Sequence, residues 1–221
     1  MIEEEFFDRL KKKVLPYFES GEGHGFDHVD RVYKLALRIS EDEDVDMDVV
    51  RASVLLHDVA RRKEEESRVN GFSREDRICH AEEGAKMVPG ILRDVGFPYD
   101  KIDYVVDAVA THRYSKNLEA KTREAEILQD ADRLDALGAI IIVRMMEATV
   151  KNGRPVYDSS IPIKEKYDGS KSTMINHIYE KILKITPDSF HTPKARELAV
   201  GRYAFVKDFA ERYVGEVEGR M

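Results

Sequence analysis

The chain has 221 residues, enough for one large domain or two small ones, and 42% are hydrophobic, so a sizeable core can form. Charged residues reach 36%, well above the ~25% of an average protein, and the net charge of -7 argues against a protein built to coat nucleic acid. Cys79 has no partner for an intrachain disulfide, the acidic N-terminus lacks the apolar stretch of a signal peptide, and no apolar run approaches the ~20 residues of a membrane span; a reducing cytoplasm is the expected location.

Helical periodicity dominates the chain. Phe6, Leu10, Val14 and Phe18 recur every four residues, with Pro16 expected to kink or end that helix. A glycine-rich loop through Gly21, Gly23 and Gly25 leads to a second helix, from about Asp27 to Ser40, with Val32, Leu35, Ala36 and Ile39 as its buried face. A third helix is expected from about Asp46 to Ala60, then a charged loop from Arg61 to Arg77. A fourth starts near His80 and ends at Gly96, where glycine suits the position after the last turn. A fifth runs from Asp100 to about His112, and a sixth, from about Glu124 to Val150, carries Asp132 before turning very apolar. Residues 152–169 read as a long ordered loop or a short hairpin. Two more helices follow, Lys171 to Ile185 and Pro193 to about Glu216, the latter with Thr192 as its N-cap. Without repeats, low-complexity tracts or a linker, the pattern predicts a single all-α domain spanning 1–221.

The chemistry sits in a few polar residues at the ends of apolar stretches. Val54-Leu55-Leu56-His57-Asp58-Val59-Ala60 puts a His-Asp doublet into a core-like segment. Burying such groups unpaired is costly, and a divalent metal is one efficient compensation. Imidazole and carboxylate are the usual ligands of Mn, Fe, Zn or Mg in catalytic sites. His57 and Asp58 point about 100° apart on a helix, yet both can reach one ion lying off its C-terminal end. His28 would come from the preceding helix and Asp132 from the sixth. Two His and two Asp leave positions open on a six-coordinate ion, which catalysis needs for a metal-activated water and a substrate oxygen. Taken singly, each of these residues is as readily an ordinary helix-end or surface group, and spacing alone does not make the four converge.

The motifs around them resemble a known family. His24-Gly25-Phe26-Asp27-His28-Val29-Asp30-Arg31-Val32, the doublet in Leu55-Leu56-His57-Asp58, and Ile127-Leu128-Gln129-Asp130-Ala131-Asp132-Arg133-Leu134-Asp135-Ala136-Leu137-Gly138-Ala139 are similar to the motifs of the HD-domain superfamily of metal-dependent phosphohydrolases, in particular a small bacterial and archaeal branch. The segment His177 to Leu183 and the residues Thr192, Ala195, Arg196, Ala199 and Arg202 also match that branch. The resemblance implies a helical bundle of the HD-domain type, with a metal-binding core at about 20–150 and C-terminal helices at about 170–217 packing on it. It implies His28, His57, Asp58 and Asp132 as metal ligands, Asp58 also as a proton relay, and His80 and His112 as phosphate contacts or ligands of a second metal. Asp58, His80 and His112 are therefore the expected catalytic residues, with Mn, Fe, Mg, Ni or Co as the metal and one ion, or alternatively two. Gly25 departs from the pattern, since relatives often carry Asp there.

Phosphate chemistry also needs cations around the transferring group. The candidate phosphate and substrate contacts are His24, Arg31, Arg61, Arg133, His177 and Lys181; His177 and Lys181, four apart, share one helix face. Glu82 and Glu83 are weaker candidates for a general base. Branch members with an assigned activity are similar to nucleotide phosphohydrolases, so the expected function is hydrolysis of nucleotides, as a nucleoside triphosphate pyrophosphohydrolase or a nucleotidase. The alternatives are a non-catalytic nucleotide-binding sensor of the same fold and a phosphodiesterase acting on another phosphorylated small molecule. Val59-Ala60-Arg61-Arg62 replaces the Glu-Asp pair that follows the doublet in alarmone hydrolases, and the Gly-Tyr-Pro motif of cyclic-dinucleotide phosphodiesterases is missing. The expected partner is a phosphorylated small molecule, neither nucleic acid nor a membrane.

Overall fold

The computed structural model describes residues 2–18, 25–73, 76–164, 166 and 172–221. No strand occurs among them, so the fold is all-α as expected. The chain divides into two compact units, Met1–Asp132 and Arg133–Met221. None of the described helices is long and apolar enough to cross a membrane.

The first unit is built around α3 (Met47–Leu56), which touches α1 (Glu4–Val14), α2 (Phe26–Ile39) and α6 (Ile102–Thr111). Every residue of α3 from Asp48 to Leu56 is buried, so this helix lacks a solvent face and its ends carry the polar chemistry. The apolar stripes read from the sequence supply its neighbours: Phe6, Leu10 and Val14 of α1, and Val32, Leu35, Ala36 and Ile39 of α2, are all buried. Truncating a core side chain such as Leu55 to alanine would cost about 2–5 kcal/mol. Three polar devices fix α3. Asp46 caps its N-terminus by accepting from the Asp48 amide at 2.9 Å. Asp48, itself buried, accepts from the Ile2 amide and from Lys101 Nζ, both at 2.7 Å. Arg51 lies over the Phe7 ring at 4.0 Å and donates to Tyr33 Oη and to Glu4.

Several elements differ from the sequence expectation, and the third helix stops at Leu56 rather than running to about Ala60. The charged stretch after the doublet is not a loop throughout: Arg61–Val69 forms α4. Only Glu64 and Ser67 of that helix are buried, so it has no apolar stripe by which periodicity could reveal it. The helix read as Glu124 to Val150 is two, α7 (Arg123–Asp135) and α8 (Ala139–Lys151). The amides of Ala136 and Leu137 turn back to the carbonyls of Arg133 and Leu134, and Gly138 then takes φ 81°, a left-handed value that a side chain would resist. α5 (His80–Asp94) pairs with α6 and also touches α4.

In the second unit, α8, α9 (Met174–Glu180) and α10 (Pro193–Val217) contact one another. Thr192 caps α10 by accepting from the Ala195 amide at 3.2 Å, as its sequence position suggested. The helix expected from Lys171 to Ile185 is shorter: α9 ends at Glu180 and a 3-10 turn covers Ile182–Lys184, while Lys171 lies outside the described residues. The described part of 152–169 is loop, tied to α9 by the Pro155 and Val156 carbonyls, which accept from the amides of Met174 and Ile175. Arg202 closes the end of α7 by donating to the Leu134 carbonyl at 2.7 Å.

Candidate metal centre

The end of a helix leaves carbonyls without intrahelical partners. Two histidines use this in the same way. His57 follows the last residue of α3, and its Nδ1 lies 2.7 Å from the Val54 carbonyl; His112 follows the last residue of α6, and its Nδ1 lies 2.7 Å from the Val109 carbonyl. A carbonyl can only accept, so each Nδ1 carries the proton and each Nε2 presents a lone pair. His28 comes from the first turn of α2 and His80 is the first residue of α5. Asp58 comes directly after His57, and Asp132 from α7.

These six side chains converge. The Nε2 atoms of His28 and His57 are 3.3 Å apart, and those of His80 and His112 are 3.2 Å apart. Asp58 stands between the two pairs. Its Oδ2 is 3.9 Å from His28 Nε2 and 3.8 Å from His57 Nε2; its Oδ1 is 3.3 Å from His80 Nε2 and 3.8 Å from His112 Nε2. Asp132 Oδ1 joins the first pair, 3.3 Å from His28 Nε2. The result is two triads that share Asp58, His28–His57–Asp58 and Asp58–His80–His112, each with ligand atoms within 4.8 Å of one another. Two nitrogens about 2.1 Å from a common ion and roughly at right angles would lie about 3 Å apart, so both pairs fit ligation of a cation.

The electrostatics agree with the donor geometry. Burial is the main influence on His57 and lowers its pKa to about 4; the imidazoles of His112 and His28 add to this, while Asp58 and Asp132 oppose it. His57 is therefore neutral at pH 7 and its lone pair is available. Burial would raise Asp58, but His57, Arg61, His112 and His80 outweigh it and hold the carboxyl well below the usual carboxylate range. Burial opposes ionisation of Asp132 too, and His28, His57 and His112 again prevail. Neutral imidazoles beside ionised carboxylates are what a divalent cation requires of its ligands. Asp132 has 25% of its side chain exposed, whereas Asp58 and the four histidines are each at most 5% exposed.

Two further residues shape the cluster, and the sequence reading gave neither of them a role. Glu64 of α4 is buried and accepts from His80 Nδ1 at 2.8 Å, Arg61 Nη1 at 3.0 Å and Arg113 Nη1 at 2.7 Å. Burial would raise its pKa, but His80, Arg61 and Arg113 bring it down to about 2. Gln129 of α7, three residues before Asp132, donates through Nε2 to the carbonyls of Thr111 at 2.9 Å and Leu118 at 3.1 Å, which fastens α7 beside His112. Gly84 of α5 packs beside the doublet, where an added Cβ would make ordinary contacts, 3.4 Å from Val109 Cγ1 and 3.7 Å from the His57 carbonyl. Gln129 lies inside the Ile127 to Ala139 motif, whereas the advance signal for Glu64 was its position six residues after Asp58.

Arg61 borders the cluster, with Nη1 2.8 Å from His80 Nδ1. Arg31 donates to Asp27 at 2.6 Å. Arg133 belongs to the second unit, where its Nη1 donates to the Ser189 carbonyl at 3.0 Å and lies 3.3 Å from His191 Nε2. His177 and Lys181, on α9 and just after it, are also in the second unit. His24 lies outside the described residues. Glu82 accepts from Lys116, and Glu83 from Lys63 and Lys86, so both face surface lysines.

Comparison with known proteins points to one family. The HD domain model matches residues 25–137, more than half of the chain and a span that contains the whole cluster. A Lactobacillus plantarum protein of known structure is 28% identical, with a TM-score of 0.76 over 99% of this chain and 100% of its own. A Bacillus thuringiensis protein described as an HD-superfamily hydrolase is 30% identical, with a TM-score of 0.70 over 97% of this chain and 96% of its own. YpgQ of Bacillus subtilis is 26% identical over 91% of this chain and 88% of its own sequence. Its crystal structure in complex with ADP superposes with a TM-score of 0.68 over 95% of this chain and 96% of that one. On the extent of these matches, and with His28, His57, Asp58, His80, His112 and Asp132 in one cluster, the chain belongs to the HD domain family.

Proposed function

We propose that this protein is a metal-dependent phosphohydrolase that acts on nucleotides. The observation that carries the reading is the convergence of four Nε2 atoms on the two oxygens of Asp58, with Asp132 beside the first pair. His28, His57, Asp58 and Asp132 would hold one ion, and His80, His112 and Asp58 a second. When bound, a divalent cation supplies Lewis acidity toward a phosphoryl oxygen and makes a water acidic enough to attack near neutral pH. Asp58, with an oxygen turned to each triad, would serve both positions and would take up the proton released by the attacking water. Arg61, beside His80, adds positive charge where phosphoryl charge develops. The donor set is nitrogen and oxygen, which suits manganese, iron, cobalt or nickel, and we take manganese as the working metal. The complex of YpgQ with ADP supports a nucleotide as the substrate class.

The test is hydrolysis of a nucleotide panel by chelator-stripped protein reloaded with manganese, with products resolved by phosphorus NMR. Pyrophosphate from triphosphates identifies a nucleotide pyrophosphohydrolase, and phosphate from monophosphates a nucleotidase. Bound metal without turnover on any nucleotide would overturn the reading and favour a nucleotide sensor or another phosphorylated substrate.

A further inference from the structure

His80 differs from the other histidines of the cluster in what stands behind it. His57 and His112 each turn Nδ1 to a backbone carbonyl, which fixes the proton there. Two side chains of opposite character touch the His80 ring: Glu64 Oε2 lies 2.8 Å from Nδ1 only, whereas Arg61 Nη1 lies 2.8 Å from Nδ1 and 3.3 Å from Nε2. A carboxylate accepts and a guanidinium only donates, so at Nδ1 they demand opposite tautomers of a neutral ring; Arg61 can donate to either ring nitrogen, and Glu64 is the contact that discriminates between them. With Glu64 as partner, Nδ1 carries the proton and the Nε2 lone pair faces Asp58 Oδ1 and His112 Nε2. With Arg61 as partner, the proton moves to Nε2, where Asp58 Oδ1 at 3.3 Å would accept it, and the ring can no longer ligate a cation.

We propose that Glu64 is a positioning residue that holds His80 in the Nδ1–H tautomer and thereby keeps the Asp58–His80–His112 triad open to a cation. Its other bonds serve the same end. By accepting from Arg61 at 3.0 Å it gives that guanidinium a partner other than the ring, and by accepting from Arg113 at 2.7 Å it ties α4 to the residue after His112. A carboxylate behind a ligating imidazole fixes ring orientation and raises ligand basicity. The tautomer follows from the contacts around His80 alone; its consequence for a second ion rests on the two-ion reading above.

Long-range proton–nitrogen NMR of histidine-labelled, metal-free protein reads the tautomer directly, at about pH 8, above the ordinary histidine pKa. The His80 signals are assigned by their loss in His80→Gln. Wild-type protein is expected to show Nδ1–H at His80, Arg61→Met to keep it, and Glu64→Ala to switch it to Nε2–H. A wild-type His80 that carries its proton on Nε2, or on both nitrogens, overturns the proposal, as does an unchanged tautomer in Glu64→Ala. The wild-type spectrum needs no variant, so the proposal stays refutable even if Glu64→Ala fails to fold. Manganese titration supplies the second readout: Glu64→Ala is expected to weaken the second equivalent about ten- to a hundredfold and leave the first unchanged. Equal loss of both equivalents, or of neither, counts against Glu64. A single equivalent in wild-type protein overturns the two-ion reading instead, and the tautomer then decides on Glu64 by itself.

Discussion

The two halves of the cluster have the same ingredients in different arrangements. Each combines two imidazoles with Asp58 and one further carboxylate. Around His28 and His57 that carboxylate is Asp132, whose oxygen lies among the ligand atoms and whose side chain is 25% exposed. Around His80 and His112 it is Glu64, one residue further back and 7% exposed, bonded to Nδ1 rather than aimed at the ligand atoms. On the proposed reading, a carboxylate's position relative to the imidazole, more than its presence, would decide whether it ligates or orients. The contrast also sets the expected order: on the proposed reading the first half would offer four ligands and the more exposed position, the second three ligands and an enclosed one.

Variants can break this comparison at several depths. The largest effect is expected from Asp58→Ala, since Asp58 belongs to both halves: metal content should fall at both positions and turnover by about 10³-fold or more, with helical content by circular dichroism retained. Wild-type turnover in that variant would show that the cluster is not the reaction site. A pair of single-ligand variants should separate the halves. His28→Ala should remove the first equivalent of metal and His112→Ala the second, read by manganese titration; identical losses would mean one position rather than two. A polar site away from the cluster provides the contrast in pH. Burial would raise the pKa of Asp48, but Lys101 and the Ile2 amide lower it below its ordinary value. The stability it contributes is therefore present above its unfolded pKa of about 3.9 and is lost as the pH falls through that range. Thermal unfolding between about pH 6 and pH 3 should show this loss in wild type and a flatter acid limb in Asp48→Asn, with metal stoichiometry at neutral pH unaltered. The smallest effect is expected from Gly90→Ala: Gly90 is exposed within α5, nothing lies within 4 Å of an added Cβ, and the protein should gain about 0.5–1 kcal/mol without change in activity.

What the sequence made legible, and what it hid, follows from the same physics. The stripes of α1 and α2 were readable because burying one helix face forces a period near four, as Phe6, Leu10 and Val14 show. The doublet was readable because His57 and Asp58 interrupt an otherwise buried apolar run. His80 and His112 were singled out by resemblance, yet nothing local to them told a phosphate contact from a metal ligand; that distinction depends on which way Nε2 points. Glu64 stayed hidden because it lies in a run of charges, Arg61 to Glu66, where composition marks solvent and only the fold reveals that one carboxylate turns inward. The break between α7 and α8 was hidden for a related reason: a glycine in an apolar helical pattern is often tolerated, and the left-handed φ of Gly138 shows only in the folded chain.

The most direct test is anomalous diffraction from crystals of the manganese-loaded protein, recorded at the metal edge. The account predicts two anomalous peaks, one ligated by His28, His57 and Asp132 and the other by His80 and His112, with Asp58 between them. A single peak, or peaks that do not touch Asp58, would contradict it.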